Sequence, residues 1–165
     1  MYSLAVLEDK DEKIACSITQ ALQKIEQKNA TPIVIVNSDS FEHLSGNQYD
    51  LLIVSPKSRC RAEKIVDSKC ILLPGDLLDG HGEIESEYAI SYGLSPRETI
   101  TISSLNEECA VISLQRELVT LAGQVLEQQE LPKIPLMNAS PEHVMTVTGT
   151  LLLAGVPPEN INKLF

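Results

Sequence analysis

Four short apolar runs in the first half of the chain constrain its fold more than any other feature. They cover residues 3–7, 32–36, 51–54 and 70–73, and they are aliphatic or β-branched on both faces. Runs of this kind are typical of parallel strands that are buried on both sides. Polar stretches between them leave room for short helices, as parallel connections require. Residues 1–80 are therefore predicted to form a small doubly wound parallel sheet with right-handed crossovers.

The first of these polar stretches carries the clearest helix signal. Asp9 and Glu12 have the spacing of a capping box. Apolar positions then follow at helical intervals, namely Ile14, Ile18, Ala21, Leu22 and Ile25. The chain is thus predicted to begin with a strand and an amphipathic helix.

The pattern changes after an acidic, glycine-containing loop that begins near Gly75. A short strand at 88–91 is followed by alternating segments at 99–102 and 110–114, and again at 118–121 and 124–127. Their spacing predicts two antiparallel hairpins. Ser140 and Pro141 then open a helix that ends near Gly155, and a last short helix follows. The expected fold is one α/β domain over 1–165, with possible subdivision at 87/88, in which an antiparallel meander and two C-terminal helices follow the parallel sheet.

Residues 88–165 resemble the later part of a Mur ligase central domain. The resemblance is carried by Tyr92-Gly93-Leu94-Ser95, by the meander over 99–130, and by the stretch 151–161, which reads LLLAGVPPENI. In that family a Tyr-Gly strand end leads into an antiparallel meander, and a Leu-rich helix closes with Gly-Ile/Val-Pro-Pro-Glu. The resemblance implies the same fold for this half of the chain.

The same resemblance argues against ligase activity. Mur ligases use ATP, whose phosphates rest on a glycine-rich loop with a lysine and a Ser or Thr. None of the eight glycines here is followed by lysine, and Asn138 to His143 replace the family's Gly-x-His-Asn-x-x-Asn stretch. The chain is predicted to use no cofactor and to bind neither ATP nor Mg²⁺.

A second resemblance is to phosphorylation-dependent receiver domains. Glu8 and Asp9 follow the first strand, and residues 49–54 precede the position of the phosphate acceptor. That position holds Ser55 instead of aspartate. A serine hydroxyl needs an activating base to act as a nucleophile, so an active receiver is not expected.

Composition limits the partners. Thirteen basic and 23 acidic residues give a net charge of −10, which opposes binding to nucleic acid. The apolar runs are far shorter than the ~20 residues that span a bilayer, so no membrane is expected and the predicted location is cytoplasmic. The four cysteines form no C-x-x-C pair and are expected to be structural or tolerated thiols.

A basic cluster follows the third predicted strand. It consists of Lys57, Arg59, Arg61 and Lys64, directly after Ser55. Because open α/β sheets bind ligands at this edge, Ser55, Lys57, Arg59 and Arg61 are candidates for an anion or phosphate site. The alternative is a solvated helix face on which Glu63 and Asp67 serve as charge partners.

Acidic residues and histidines offer further candidates. Asp76, Asp79, His81 and Glu83 lie in the acidic loop and are weak candidates for metal ligands. Their spacing fits no calcium loop or zinc motif, so a solvated loop is the preferred interpretation and no metal is predicted. His43 and His143 are interpreted as surface or capping residues, because the sequence shows no proximity to a nucleophile.

These observations favour a noncatalytic binding or assembly module. An exposed edge strand over residues 124–131 contains neither lysine nor proline at its centre, so pairing between two copies is predicted and the chain is expected to form a homodimer. The alternative is an enzyme or sensor that binds a small anionic ligand at the carboxyl ends of the parallel strands.

Overall fold

A computed structural model describes residues 1–25, 31–58, 66–80 and 84–165. The helices are α1 (Ile14–Gln23), α2 (Phe41–Leu44) and α3 (Pro141–Leu153), with 3₁₀ turns over Gly75–Gly80 and Pro158–Lys163. The strands are β1 (Tyr2–Leu7), β2 (Ile33–Ser38), β3 (Gln48–Val54), β4 (Val66–Pro74), β5 (Ile84–Tyr92), β6 (Ile100–Leu105), β7 (Cys109–Leu114), β8 (Leu118–Val119), β9 (Val125–Leu126), β10 (Gln129–Glu130) and β11 (Ile134–Pro135).

Within the described ranges, nine strands form one sheet. Its order is β10-β7-β6-β5-β4-β3-β1-β2, and β11 also pairs with β7. All neighbours from β2 to β6 are parallel, whereas β7 is antiparallel to β6, β10 and β11. The predicted mixed α/β fold, with a mainly parallel sheet, later antiparallel strands and a C-terminal helix, is confirmed.

The predicted end of the parallel sheet at residue 80 is wrong. Strand β5 begins at Ile84 and pairs in parallel with β4 along its length, and Tyr92 then pairs with Ile100 of β6. The acidic residues of this segment contributed to the error. The sequence pattern predicts a loop at Glu87, but this charged residue occupies a solvent-facing position within the strand. The parallel and antiparallel parts therefore belong to one continuous sheet.

Apolar side chains form a cluster on each face of the sheet. The larger cluster joins α1 and α3 to residues such as Leu4, Leu51 and Leu72, and the smaller one joins α2 to neighbours such as Ala5 and Leu52. Adjacent strand residues thus point to opposite faces, as the pleat requires. Full burial of such a side chain contributes roughly 1.5–3 kcal/mol, which explains why these strands are apolar on both faces.

Both predicted hairpins are present. Strands β6 and β7 flank a turn in which Asn106 Oδ1 accepts hydrogen bonds from the backbone N–H groups of Glu108 and Cys109. Strands β8 and β9 pair around Gly123, whose φ of +82° suits glycine. The small hairpin sheet is separate from the nine-stranded sheet.

The predicted edge strand over 124–131 is wrong as a single element. Val125 pairs with Val119 in the small sheet, whereas Gln129 and Glu130 pair with β7 in the large one. The segment changes partners within three residues, because Val125 and Leu126 belong to the two-stranded sheet and Gln129 and Glu130 to the large one. Only Gln129 and Glu130 of this segment lie at an end of the large sheet, as the two-residue strand β10.

Helix α3 begins and ends as the sequence predicts. The Ser140 side chain accepts a hydrogen bond from the His143 N–H, Pro141 occupies the first turn, and Gly155 follows the helix with a φ of +92°. Residues 144–153 are all buried. No helix in the described part of the chain is long and apolar enough to span a membrane.

Candidate functional site

The carboxyl ends of β1 and β3 form the first candidate site. Strand β1 lies between β2 and β3, so the direction in which strands are added reverses there. Ligands of open α/β sheets bind in the crevice that such a reversal creates. Glu8 follows β1 and Ser55 follows β3, and both side chains lie in this region.

Glu8 is almost completely buried, with 6% of its surface exposed. One carboxylate oxygen accepts hydrogen bonds from the backbone N–H groups of Ile14 at 2.5 Å and Ala15 at 3.3 Å, and the other accepts one from the Asn37 amide at 3.3 Å. The carboxylate thus satisfies orphan N–H groups at the start of α1, where negative charge is favourable. The helix has no side-chain cap at Lys13, so a residue six positions before Ile14 performs this role.

Glu12 occupies the position where the sequence predicts an anion. Its carboxylate accepts hydrogen bonds from the Ser55 hydroxyl, from the Lys57 backbone N–H at 3.0 Å and from the Asp9 backbone N–H at 3.0 Å. The last of these is one half of the predicted capping box. The donors of the loop after β3 thus bind the chain's own Glu12 carboxylate.

The predicted anion residues have different environments. Ser55 is fully buried and donates to Glu12, whereas the Lys57 side chain is exposed. Arg59 and Arg61 lie outside the described residues. The structure thus places Ser55 and Lys57 in one loop. Their shared partner is Glu12, which the sequence does not indicate.

The predicted metal residues do not form a described cluster. Asp76 and Asp79 lie in the 3₁₀ turn Gly75–Gly80, where the Asp76 side chain is exposed, and His81 and Glu83 lie outside the described residues. In the part of the chain that is described, no group of three or more His, Cys, Asp or Glu side chains is placed to hold a metal ion.

A serine–histidine pair joins the two main helices. Ser17 Oγ of α1 lies 3.0 Å from His143 Nε2 of α3. Burial lowers the pKa of His143, while the charges of Glu12 and Glu8 and a hydrogen bond to the Glu12 backbone act in the opposite direction. The interpretation of His143 as a surface or capping residue is incomplete, because its ring is half-buried between helices. The two residues are 126 positions apart, so no local sequence pattern indicates this contact.

The Ser17–His143 pair has the spacing of a nucleophile and a base, but acyl transfer also needs donors for an oxyanion. The nearby N–H groups of Ile14 and Ala15 are bonded to Glu8, and the Ser17 N–H is bonded within its own helix. The Ser17–His143 hydrogen bond links α1 to α3. His43, in contrast, is exposed as predicted, with Ser38 as its hydrogen-bonding neighbour.

The cysteines show no reactive environment at Cys70. This thiol is fully buried, and burial raises its pKa to about 12. Cys16 is exposed and Cys109 is half-buried, and both are free thiols. A buried thiol with a raised pKa has little thiolate and is chemically inert.

Strand β2 forms one end of the nine-stranded sheet and is the second candidate site. Its sequence is IVIVNS, it pairs with β1, and the described residues place no strand on its other side. Tyr2 N donates to Pro32 O and Glu8 N donates to Ser38 O, so the even-numbered residues bond to β1. By alternation, Ile33, Ile35 and Asn37 direct their backbone N–H and C=O groups away from the sheet.

The side chains of β2 add apolar surface to this open edge. Val34 and Val36 are 46% and 42% exposed. They lie on one face, because their register partners in β1 are Ser3 and Ala5. At the opposite end of the sheet, β10 is only two residues long. Among the described strands, β2 is therefore the longer open edge, and it carries no charge.

Fold and sites together define a mixed α/β protein with an internally bonded polar cluster at one place and an open, uncharged strand at another. The sequence matches no known protein family and no curated protein.

Proposed function

We propose that this chain is a noncatalytic assembly module that forms a homodimer through β2. The observation that carries the proposal is the open β2 edge, with outward backbone groups and two exposed valines. Unpaired edges of this kind promote pairing with another chain unless charge, proline or a covering element prevents it.

Two-fold symmetry makes this edge self-complementary. A two-fold axis beside Ile35 pairs β2 with its copy in an antiparallel direction, so each outward N–H meets an outward C=O. Ile35 then lies opposite its own copy, and Val34 lies opposite Val36 of the second copy. Four valines meet on one face, and no like charges are brought together despite the net charge of −10.

Other features support a noncatalytic role. The buried carboxylate of Glu8 and the carboxylate of Glu12 are bonded to backbone and hydroxyl donors, which leaves them engaged in holding loops in place. The resemblance of residues 88–165 to a Mur ligase central domain without the phosphate loop is consistent with a retained fold and lost activity. We also propose that the first half of the chain is a doubly wound sheet, in which α1 and α2 cover opposite faces.

Light scattering at micromolar concentration tests the dimer. We expect twice the chain mass of 18.1 kDa, and we expect Val36→Lys to give the single-chain mass because it places two like charges, one from each copy, at the shared edge. Val125→Lys is the matched control, since Val125 is also an exposed strand valine, at 53%, but lies in the small sheet. A wild-type mass of 18.1 kDa, or equal loss of the dimer in both variants, would refute the role of β2.

One observation favours the second candidate function, binding of a small anionic ligand. The Lys57 N–H and Ser55 hydroxyl already converge on a carboxylate, and phosphate requires the same kinds of donor. Inorganic phosphate and sugar phosphates should then raise Tm, and Glu12→Gln should strengthen the effect by removing the competing charge. Equal Tm values with and without these anions in both proteins would eliminate this candidate.

A further inference from the structure

A cavity of about 670 Å³ lies on the α1 face of the sheet, beside β2. It is bordered by the last turns of α1, by Ile33 and Ile35 of β2, by the turn between β8 and β9, and by the chain that follows α3. Sites for small molecules commonly measure roughly 300–1,000 Å³. The size of this cavity is therefore suitable for a small ligand.

The fold forms the cavity where three elements end. Gly155, with its positive φ, turns the chain sharply after α3, and Val156 then donates its backbone N–H to Leu151 O. The Leu121 N–H donates to Leu153 O and fixes the β8–β9 hairpin beside the same helix end. These backbone bonds hold the far wall of the cavity in place.

The main apolar core is incompletely covered here. Tyr2, Leu22, Ile25, Ile33 and Ile35 pack against that core but stay partly exposed, and all five border the cavity. They are half of the ten partly buried apolar residues that surround the core in the described ranges. Exposed apolar area that is concentrated at one concave place marks a binding surface.

The chemistry of the lining selects the ligand. No lining residue among those described is charged, although 22% of the chain is Asp, Glu, Lys or Arg. Thr19, Gln23 and Gln124 contribute uncharged hydroxyl and amide groups, and the Thr19 hydroxyl, which donates to Ala15 O, can still accept a hydrogen bond. An ionised ligand would lose hydration without gaining an opposite charge from the described lining residues.

We infer that this cavity is a binding site for a small, neutral and largely apolar molecule with one or two hydrogen-bonding groups. The inference does not depend on the proposed dimer. The cavity is bordered by the side chains of Ile33 and Ile35 on one face, whereas the dimer is held by backbone groups at the edge and by the valines on the other face, and Ile35 is the residue that lies at both.

Two fluorescent probes with the same aromatic skeleton test the selectivity. N-phenyl-1-naphthylamine is neutral, and 8-anilinonaphthalene-1-sulfonate carries one negative charge. We expect saturable binding of the neutral probe with one site per chain, and an affinity about tenfold or more above that of the anionic probe. Equal or tighter binding of the anionic probe, or no binding of the neutral one, would overturn the inference.

Matched tryptophan variants test the location. Ala122→Trp and Gln23→Trp add a ring at two walls of the cavity, and each should weaken binding of the neutral probe about tenfold or more. Val119→Trp in the same hairpin and Gln20→Trp in the same helix change exposed residues outside the lining and should leave the affinity unchanged. Circular dichroism verifies that each variant is folded. Unchanged affinity in both lining variants, or equal losses in the controls, would place the probe elsewhere and refute the site.

Probe titrations below and above the dimerisation concentration separate the ligand from a second copy as occupant. We expect the same affinity in both ranges. Loss of probe binding on dimerisation would show that the partner chain fills the cavity and would overturn this inference while supporting assembly. Loss of the dimer in Val36→Lys with probe binding retained would leave the inference intact.

Discussion

The region after β1 and the region beside β2 differ in how their chemical groups are used. After β1, Glu8 and Glu12 are polar groups that sequence reasoning would assign to function, yet both are bonded to nearby backbone or hydroxyl donors. Beside β2, the outward backbone groups of Ile33 and Ile35 have no strand to pair with within the described residues. The side chains of Val34 and Val36 on the same strand are exposed. The region with unpaired backbone groups and exposed apolar side chains is therefore the better binding surface in this molecule, although the other region contains more acidic residues.

The largest expected effect comes from Glu8. Glu8→Ala should lower the free energy of unfolding by about 2–4 kcal/mol, because it leaves two buried helix N–H groups and the Asn37 amide without their acceptor. Urea unfolding measures the change. Asp11→Ala, at an exposed position in the same loop, should change it by less than about 0.5 kcal/mol. Similar small effects in both variants would mean that the cluster after β1 is not structural.

A smaller effect on stability is expected at the hydrogen bond between α1 and α3. Ser17→Ala should cost about 1 kcal/mol through loss of its hydrogen bond to His143. Gln20→Ala on the exposed face of α1 serves as the control and should be nearly neutral. If the protein has a hydrolytic activity that Ser17→Ala abolishes, Ser17 and His143 are a catalytic pair. The functional region would then lie near α1 and not at the β2 edge.

The pH dependence of stability tests the environment of His143. Its pKa is lowered in the folded protein, so the unfolded chain binds more protons between that pKa and the ordinary value of 6.5. The associated stability is present above about pH 6.5 and is lost as pH falls through the folded pKa. His143→Gln should therefore flatten the change of Tm with pH in this range. An equally steep profile in the variant would assign the dependence to other groups.

The smallest effect on folding is expected at the open edge. Val36→Lys should change the free energy of unfolding by no more than about 0.5 kcal/mol when measured at submicromolar concentration, because the side chain is 42% exposed. The same variant should abolish association. A large loss of folding stability in the monomer would show that this valine belongs to the core, and the contrast between the two regions would disappear.

Local signals predicted much of the fold. The apolar runs at 3–7, 51–54 and 70–73 lie within β1, β3 and β4, and the Ser140-Pro141 signal marks the start of α3. These features depend on residues that are close in sequence. An example is Ser140, whose side chain accepts a hydrogen bond from the His143 N–H three residues later. The segment that contains Glu87 was assigned to a loop in error, because a strand with one solvent-facing side can carry alternate charged residues.

The candidate sites were less predictable. The sequence predicts that Ser55 and Lys57 lie at a ligand-binding edge, and the structure places both in the loop after β3. Nothing local indicated that Glu12 would fill the space between them, or that Ser17 would meet His143. These contacts join residues 43 to 126 positions apart, and only the packing of α1 against the sheet and α3 creates them.

The sequence by itself determined that this chain forms a mixed α/β fold, because the burial of β-branched runs and the capping of helices are local requirements that its residues meet. Strand order was decided only by the tertiary structure. It placed β2 at one end of the sheet, left Val34 and Val36 exposed and kept Ile33 and Ile35 at the border of a cavity. The physical reason is that an apolar strand has the same local pattern in the centre and at the edge, and only the presence of a neighbour decides whether its hydrogen-bonding groups are satisfied.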